Sequence, residues 1–382
     1  MQREHSLPGA GPSLVGGHVL LAGGGHSHIE VLRRFALRAP AGARVTLVTP
    51  DPELLYTGMV PGFIAGHYAL SDTRIDLAAL AARAGVALVA DRVTVLDPAA
   101  RTVTLGSGTS LSFDLLSLDV GAVADARVPG VAANALPVKP VPTLLAGWEA
   151  IVARARTGAL RAVVVAGAGA GGVELALAMR HHLRSAGAGH VRIGLVSGEA
   201  EVLAGFNGVT RARLAAVLHE HAIDVHRNFA IDAVTADGVA SGEQRLPADH
   251  VVWATGAGAP PWLAASGLAC DELGFVRVDE HLRSLSHPFV FAAGDCATIE
   301  GHPRPKSGVH AVRQGPPLAT NLRRAVAGRR LVRHVPQREA LAILTTGGRH
   351  AVAARGAFTV EGDWVWRWKD RIDRAFVAKY AS

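Results

Sequence analysis

Two glycine-rich turns of one design, with Gly23 and Gly167 standing 144 positions apart, constrain this 382-residue chain more than any other feature. The first, in LLAGGGHSH, closes the apolar run His18 to Ala22, and the second, in VVVAGAGAGGVELAL, follows Arg161 to Ala166. Each reads as strand, tight turn, helix. In such a turn the first glycine reverses the chain, the second lets the backbone approach a pyrophosphate, and the helix start meets its negative charge with free amides. One glycine turn is weak evidence, since any tight strand-to-helix connection can use glycine. Two with correct flanks point to two bound dinucleotides, with Gly23 and Gly25 serving one and Gly167, Gly169 and Gly172 the other.

Composition agrees with a folded chain of ordinary type. With 49% hydrophobic and 19% charged residues it has ample apolar content for two packed domains. The formal charge of +7 comes from Lys and Arg spread along the chain, with only short clusters such as Arg329, Arg330 and Arg333. That suits anionic dinucleotides or an anionic membrane surface, and nothing indicates nucleic acid. Cys270 and Cys296 lie 26 positions apart, in neither CxxC nor metal-ligand spacing, so no disulfide scaffold and no metal site is expected. A reducing cytoplasm is the default compartment. The opening MQREHSLPGAGPSLVGG lacks an apolar core of signal-peptide length and reads as a flexible lead-in. No run of about 18 apolar residues free of glycine and charge occurs, so a spanning helix is not expected.

Val45 to Thr49 reads as a second strand, Asp76 to Arg83 as a helix and Ala87 to Ala90 as a strand. Arg101 to Leu105 and Leu111 to Leu118 follow as short strands, the latter ending in the turn Asp119, Val120, Gly121. Val128 to Pro142, rich in proline and alanine, suits a crossing between domains, and a helix around Leu144 to Arg156 leads into the second turn. Val191 to Ser197, Asp224 to Arg227, Ile231 to Ala236 and His250 to Ala254 continue a pattern typical of a mostly parallel sheet covered by helices.

These segments, together with VVWATG at Val251 to Gly256 and FVFAAGDCA at Phe289 to Ala297, resemble the two-dinucleotide flavoproteins of the pyridine nucleotide oxidoreductase superfamily. Within it the chain is similar to type II NADH dehydrogenases and, through LYTGMVPGFIAGHY, KSGVHAVRQGP and WVWRWKDRIDRAF, to the flavoprotein domain often fused to selenophosphate synthetase. The resemblance implies tandem Rossmann-like α/β domains. FAD would be held by residues 16–127 and 286–339, NAD(P)H as co-substrate by residues 128–285, and residues 340–382 would form a C-terminal region with an amphipathic helix. It implies that Asp295 accepts a hydrogen bond from a ribityl hydroxyl of FAD, that Gly121 and Gly256 lie beside the dinucleotides, and that the helix start at Val309 and His310 faces the flavin ring. Lys306 would add a positive charge there, although a solvated loop lysine fits as well. Glu174, at the start of the helix after Gly172, would hold the nicotinamide end over the flavin.

The departures from that pattern carry information too. His28 stands where the third glycine of the first turn belongs, and its imidazole either approaches the pyrophosphate or packs in the core. Where an acid usually binds the adenosine ribose, the chain has Thr49, with Asp51 two residues on. The equivalent position in the second domain is Ser197, followed by Gly198 and Glu199, which leaves NADH and NADPH both open. Type II dehydrogenases carry an Ala-Gln pair near their quinone pocket, whereas alignment on Gln314 puts Val309 and His310 there. Redox cysteine pairs and the flavin-proximal cysteines of sulfide:quinone oxidoreductases are missing, so the chemistry falls to the flavin. The expected reaction is hydride transfer from NAD(P)H to FAD, then electron transfer to a quinone or another small acceptor. A flavin-dependent reductase of selenium or sulfur metabolism and a flavin-binding redox sensor are the alternatives. Trp364, Trp368, Ile372 and Phe376 recur every four residues among Arg367, Lys369, Arg371 and Arg374. Such a helix suits peripheral contact with the cytoplasmic membrane face, and equally a cover for the flavin domain or a homodimer contact.

Overall fold

The computed structural model describes Leu14 and residues 16–381, so most of the expected lead-in lies outside the described residues. Ten parallel strands form the framework: β1 His18–Ala22, β2 Arg44–Thr49, β3 Ala87–Ala90, β4 Leu115–Leu118, β5 Ala135–Pro137, β6 Ala162–Ala166, β7 Arg192–Val196, β8 Ile223–His226, β9 His250–Trp253 and β10 Val290–Ala292. They build two five-stranded sheets, β10-β4-β1-β2-β3 and β5-β9-β6-β7-β8, in which β1 and β6 hold the same central place. Both central strands, HVLLA and AVVVA, are buried along their whole length. That is how a parallel strand covered on both faces reads in sequence, as a continuous apolar run rather than an alternation.

Three segments differ from the sequence expectation, the first being Leu111 to Leu118, which is divided between an antiparallel strand Ser110–Ser112 and β4. Val128 to Pro142 is not simply a crossing, because Ala135–Pro137 adds itself as the edge strand beside β9. Ala233–Thr235 leaves the parallel pattern and pairs antiparallel with Gly238–Ser241. Gly238, at φ +141°, makes that reversal available where a residue with a side chain would be strained.

Helix α1 (His26–Leu37) follows the first turn, α2 (Val141–Arg156) precedes the second, and α3 (Ala170–Ser185) follows it. Helix α4 (Gly308–Val326) packs closely on α1. Gly315 permits this, since a Cβ there would lie 2.6 Å from that of Glu30, and Ser27 Oγ donates to the Ala311 carbonyl at 2.8 Å. The start of α1 and the first turns of α4 are thereby tied together.

The chain closes with an antiparallel sheet, Ala342–Thr345, Ala351–Arg355 and Phe358–Gly362, and helix α5 (Asp363–Ala381). Helix α5 packs on the protein through Val365, Trp366, Asp373 and Tyr380. Its far end is moored by Glu30, whose side chain is 2% exposed and accepts hydrogen bonds from Lys379 at 2.7 Å and the Tyr380 hydroxyl at 3.0 Å. Bonds from Arg33, Lys379 and Arg34 outweigh burial and hold the Glu30 carboxyl down at about 2.

Trp364, Trp368 and Ile372 are 51%, 37% and 40% exposed, while Phe376 is half-buried and stacks on Tyr56 at 4.3 Å. A four-residue spacing advances about 40° past a full turn at each step, so the fourth member of the series has rotated off the exposed face. Lys369 is likewise turned inward, paired with Asp373 at 2.6 Å. A chain ending at Asp363 should therefore be destabilised by about 5 kcal/mol or more, since it loses the buried side chains of Val365, Trp366 and Tyr380 at about 1.5–3 kcal/mol each. Replacing Trp364, Trp368 and Ile372 together by Ser should change denaturant stability by only about 1 kcal/mol. Equal stability of the truncated and full-length chains would show that α5 does not contribute to the core.

Candidate functional site

The first turn lies where the carboxyl ends of β1, β4 and β10 meet. Gly23 has φ +92°, and a side chain there would run into the Asp119 carbonyl; one at Gly25 would run into the Asp119 carboxylate. Asp119, just past β4 and 2% exposed, accepts the amide hydrogens of Ser27 at 2.7 Å and His28 at 2.8 Å. It thus satisfies donors in the opening turn of α1, where helix amides lack intrahelical partners. Burial above all, with Asp295 adding to it against the pull of the two amides, pushes the Asp119 carboxyl up to about 7.

His28 fills the space left by the missing third glycine. Its Nδ1 is 2.6 Å from the Gly23 carbonyl and its Nε2 is 2.8 Å from Ser117 Oγ, so both ring nitrogens are engaged within the protein. The core reading holds for this histidine, not an approach to pyrophosphate. His26 differs: it is 9% exposed and lies against Tyr56 and Phe376, and its buried Nε2 has no partner. Burial depresses it to about 4, so the ring is neutral. Beside it Asp295, 14% exposed, forms an ion pair with Lys139, which comes from the edge of the second sheet. The Gly294 amide donates to Gln314 Oε1 at 2.6 Å. An orphaned buried imidazole, a carboxylate at a strand end and a glycine turn that admits bare backbone fit FAD.

Other positions are placed as follows. Thr49 is buried and donates to the Asp51 carbonyl at 3.2 Å, whereas Asp51 itself is exposed. Gly121, at φ +71°, opens onto free space. Val309 lies in the first turn of α4 and is 36% exposed. Lys306 does not stand free: it donates to the Ala297 carbonyl at 2.5 Å and Thr298 Oγ1 at 2.9 Å and sits 3.9 Å above the Phe275 ring. Its charge is committed to local backbone, and burial lowers its pKa. Cys296 is buried with its thiol pushed up to about 12 by that burial, so it offers no thiolate.

The second turn has more room. Gly167 has φ +107°, and a Cβ at Gly169 or Gly171 would meet nothing within 4 Å, while one at Gly172 would strike the Gly167 carbonyl. Gly256, at φ +56°, approaches Asp125 across the strand ends. Ser197 is buried and accepts the Glu199 amide at 3.2 Å, leaving the Glu199 side chain exposed. Glu174 is not a free group in the turn. One carboxylate oxygen accepts the Thr345 amide at 2.8 Å and hydroxyl at 3.0 Å, and burial raises its pKa. That bond ties α3 to the C-terminal sheet, which sequence reading left unassigned.

Sequence reading also missed Asp119, His26, Lys139 and the cluster of Tyr56, Lys369 and Asp373, in which Lys369 donates to the Gly58 carbonyl at 2.7 Å and to Asp373. Asp119 carried a signal as an acid directly after the apolar strand LLSL, and His26, Tyr56, Lys369 and Asp373 lie inside segments that carry the family resemblance, whereas Lys139 had none.

Residues 17–315 match the family described as pyridine nucleotide-disulphide oxidoreductase. An NADH dehydrogenase-like protein of Mycobacterium tuberculosis is 32% identical over 237 residues, a match covering 60% of this chain and 59% of that protein. The chain therefore matches less than two thirds of the length of this relative. A sulfide:quinone oxidoreductase from Aquifex aeolicus superposes with TM-score 0.81 at 20% identity, covering 95% of this chain and 91% of that one. NDH2 from Plasmodium falciparum in complex with NADH superposes with TM-score 0.79 at 14% identity, covering 94% and 97%. At these identities the structural likeness is one of fold.

The contrast between the two open and closed glycines is testable. Gly169→Val should leave thermal stability nearly unchanged, because its side chain enters open space, while Gly172→Val should cost at least about 1–3 kcal/mol through its clash with Gly167. Equal melting temperatures for the two variants would contradict the geometry of the turn.

Proposed function

The chain belongs to the pyridine nucleotide-disulphide oxidoreductase family, and from that premise we propose that it is an FAD-dependent enzyme that oxidises NAD(P)H and passes the electrons to a quinone. The observation that carries this reading is the repetition of one four-strand order, β4-β1-β2-β3 and β9-β6-β7-β8, each with a glycine turn after its central strand. FAD supplies the hydride acceptor when bound, since its ring takes two electrons and gives them up without a protein nucleophile. The chain's own groups bind and orient. Gly23 and Gly25 bring backbone to the first dinucleotide, Asp295 and His26 Nε2 offer it an acceptor and an unpaired ring nitrogen, and Gly167, Gly169 and Gly172 shape the second.

Further contacts are proposed for the residues that frame these turns. Thr49 and Gly121 border the first dinucleotide, and Glu199 and Gly256 the second. The first-turn amides of α4 at Val309 face the flavin ring, where a helix start favours negative charge. Residues 16–127 with 286–339 make up the FAD-binding part, and residues 128–285 the NAD(P)H-binding part. Among the described residues neither cysteine is placed for thiol chemistry, since Cys296 is buried and both thiols are raised by burial.

A quinone as acceptor, and peripheral contact with a membrane that holds it, are supported by the exposed face of the C-terminal region. Trp364, Trp368 and Ile372 of α5 are exposed, as are Phe358, 83%, and Val360, 42%, on the strand before it, and the exposed Arg367 and Arg371 lie on the same helix. Aromatic and aliphatic groups beside arginines suit an anionic membrane interface. No helix among the described residues is long and apolar enough to cross a membrane.

Anaerobic addition of NADH or NADPH should bleach the visible absorbance of the flavin, and a quinone held in anionic vesicles should restore it. Restoration should slow with added salt and with Trp364→Ser plus Trp368→Ser, because the electrostatic part of membrane contact is screened. A flavin that neither nicotinamide bleaches would overturn the hydride reading, and salt-independent reoxidation unaffected by the tryptophans would overturn the membrane one.

A further inference from the structure

The turn proposed for FAD already holds a carboxyl group. Asp119 places its carboxylate at the opening of α1, on the amides of Ser27 and His28, and presses it against the bare backbone of Gly25 and Gly294. Among the described residues it has no ion-pair partner. The ionisable groups around it are accounted for element by element. From α1 come His28, whose ring is neutral and engaged, and His26, neutral with Nε2 unpaired. From the segment after β10 come Asp295, already paired with Lys139, and the un-ionised Cys296 thiol. From the approach to α4 comes Lys306, spent on Ala297 and Thr298. None of these compensates Asp119.

We propose that Asp119 couples FAD binding to the uptake of one proton, its carboxylate becoming a neutral carboxylic acid as the anionic diphosphate joins it at the start of α1. This rests on the reading of the first turn as the FAD site. The balance is simple: the ionised protein, FAD and one proton from solvent give a complex in which Asp119 carries the proton, and no electrons move. His26, the first residue of the same helix, has a buried Nε2 with no hydrogen-bond partner in the protein. Two further considerations support the coupling. Two anions at one buried helix start repel strongly where water does not screen them, and neutralising the carboxyl removes that repulsion. The proton is also within reach at neutral pH, because burial and Asp295 already hold the Asp119 carboxyl at about 7 before a diphosphate adds its own push in the same direction.

The sign follows from linkage. A group whose pKa rises on binding takes up protons, so binding weakens as pH climbs above the value of the free protein. The test titrates flavin-stripped full-length protein with FAD, following the quenching of FAD fluorescence, at several values between about pH 6 and pH 9. Alongside it runs Asp119→Asn, whose amide oxygen can still accept from Ser27 and His28 but cannot ionise. For the wild type the Kd should be flat below about pH 7 and rise by up to about tenfold per pH unit above it. For Asp119→Asn it should be flat throughout. A pH indicator in weak buffer at about pH 8 should register uptake approaching one proton per FAD for the wild type and none for the variant, and absence of uptake by the wild type overturns the proposal even where the variant fails to fold. A wild-type Kd independent of pH with no proton uptake would overturn the proposal, as would an unchanged slope in Asp119→Asn. Failure to bind FAD at any pH would overturn the FAD assignment itself, an outcome distinct from binding that ignores pH.

Discussion

The amides of Ser27 and His28 converge on one buried carboxylate, and much of the site takes its position from that contact. It locks the loop after β4 against the start of α1. Gly294, after β10, can then come into contact with the same carboxylate only because it has no side chain. Its amide is received by Gln314 of α4, and α4 is held to α1 through Ser27 and Ala311. Three strand ends and two helix starts are thus fixed by short hydrogen bonds among groups that water scarcely reaches. In such surroundings an unmet polar group is costly, which makes the unpartnered Nε2 of His26 informative rather than incidental.

The C-terminal region binds this arrangement to the second sheet. Thr345 donates through its amide and hydroxyl to Glu174 of α3, the Gly347 carbonyl meets His67 Nε2 at 2.8 Å, and Lys369 reaches the Gly58 carbonyl. Farther along α5, Phe376 covers Tyr56 and His26, and Tyr380 reaches Glu30 on α1. One face of α5 therefore closes over the first turn while the other presents tryptophans to the outside. The region is structural cover on one side and exposed surface on the other.

Short-range features were readable from the sequence because they are local. A glycine with positive φ at the end of an apolar strand announces a turn, and an unbroken run such as AVVVA announces a strand buried on both faces. The mostly parallel α/β pattern follows from these, and its tandem arrangement from the family resemblance. What escaped were groups whose partners lie far away in the chain. Lys139 meets Asp295 across 156 positions, Glu174 meets Thr345 across 171, and Lys379 meets Glu30 across 349. No spacing rule connects such pairs. His28 and Lys306 were ambiguous for a related reason: an imidazole beside a turn and a lysine before a helix suit a ligand or local backbone equally well until the neighbouring strands are in place, and here backbone claims both.

The account turns on residues 23–28, 119–121, 294–296 and 308–311 forming a single FAD site. Hydrogen–deuterium exchange on the full chain with and without FAD tests this directly, because amides that gain a partner or lose access to water exchange more slowly. FAD should slow exchange in these segments together and leave the exposed edge at residues 244–247 unaffected. Protection confined to residues 167–172, or none at the start of α1, would contradict the central claim.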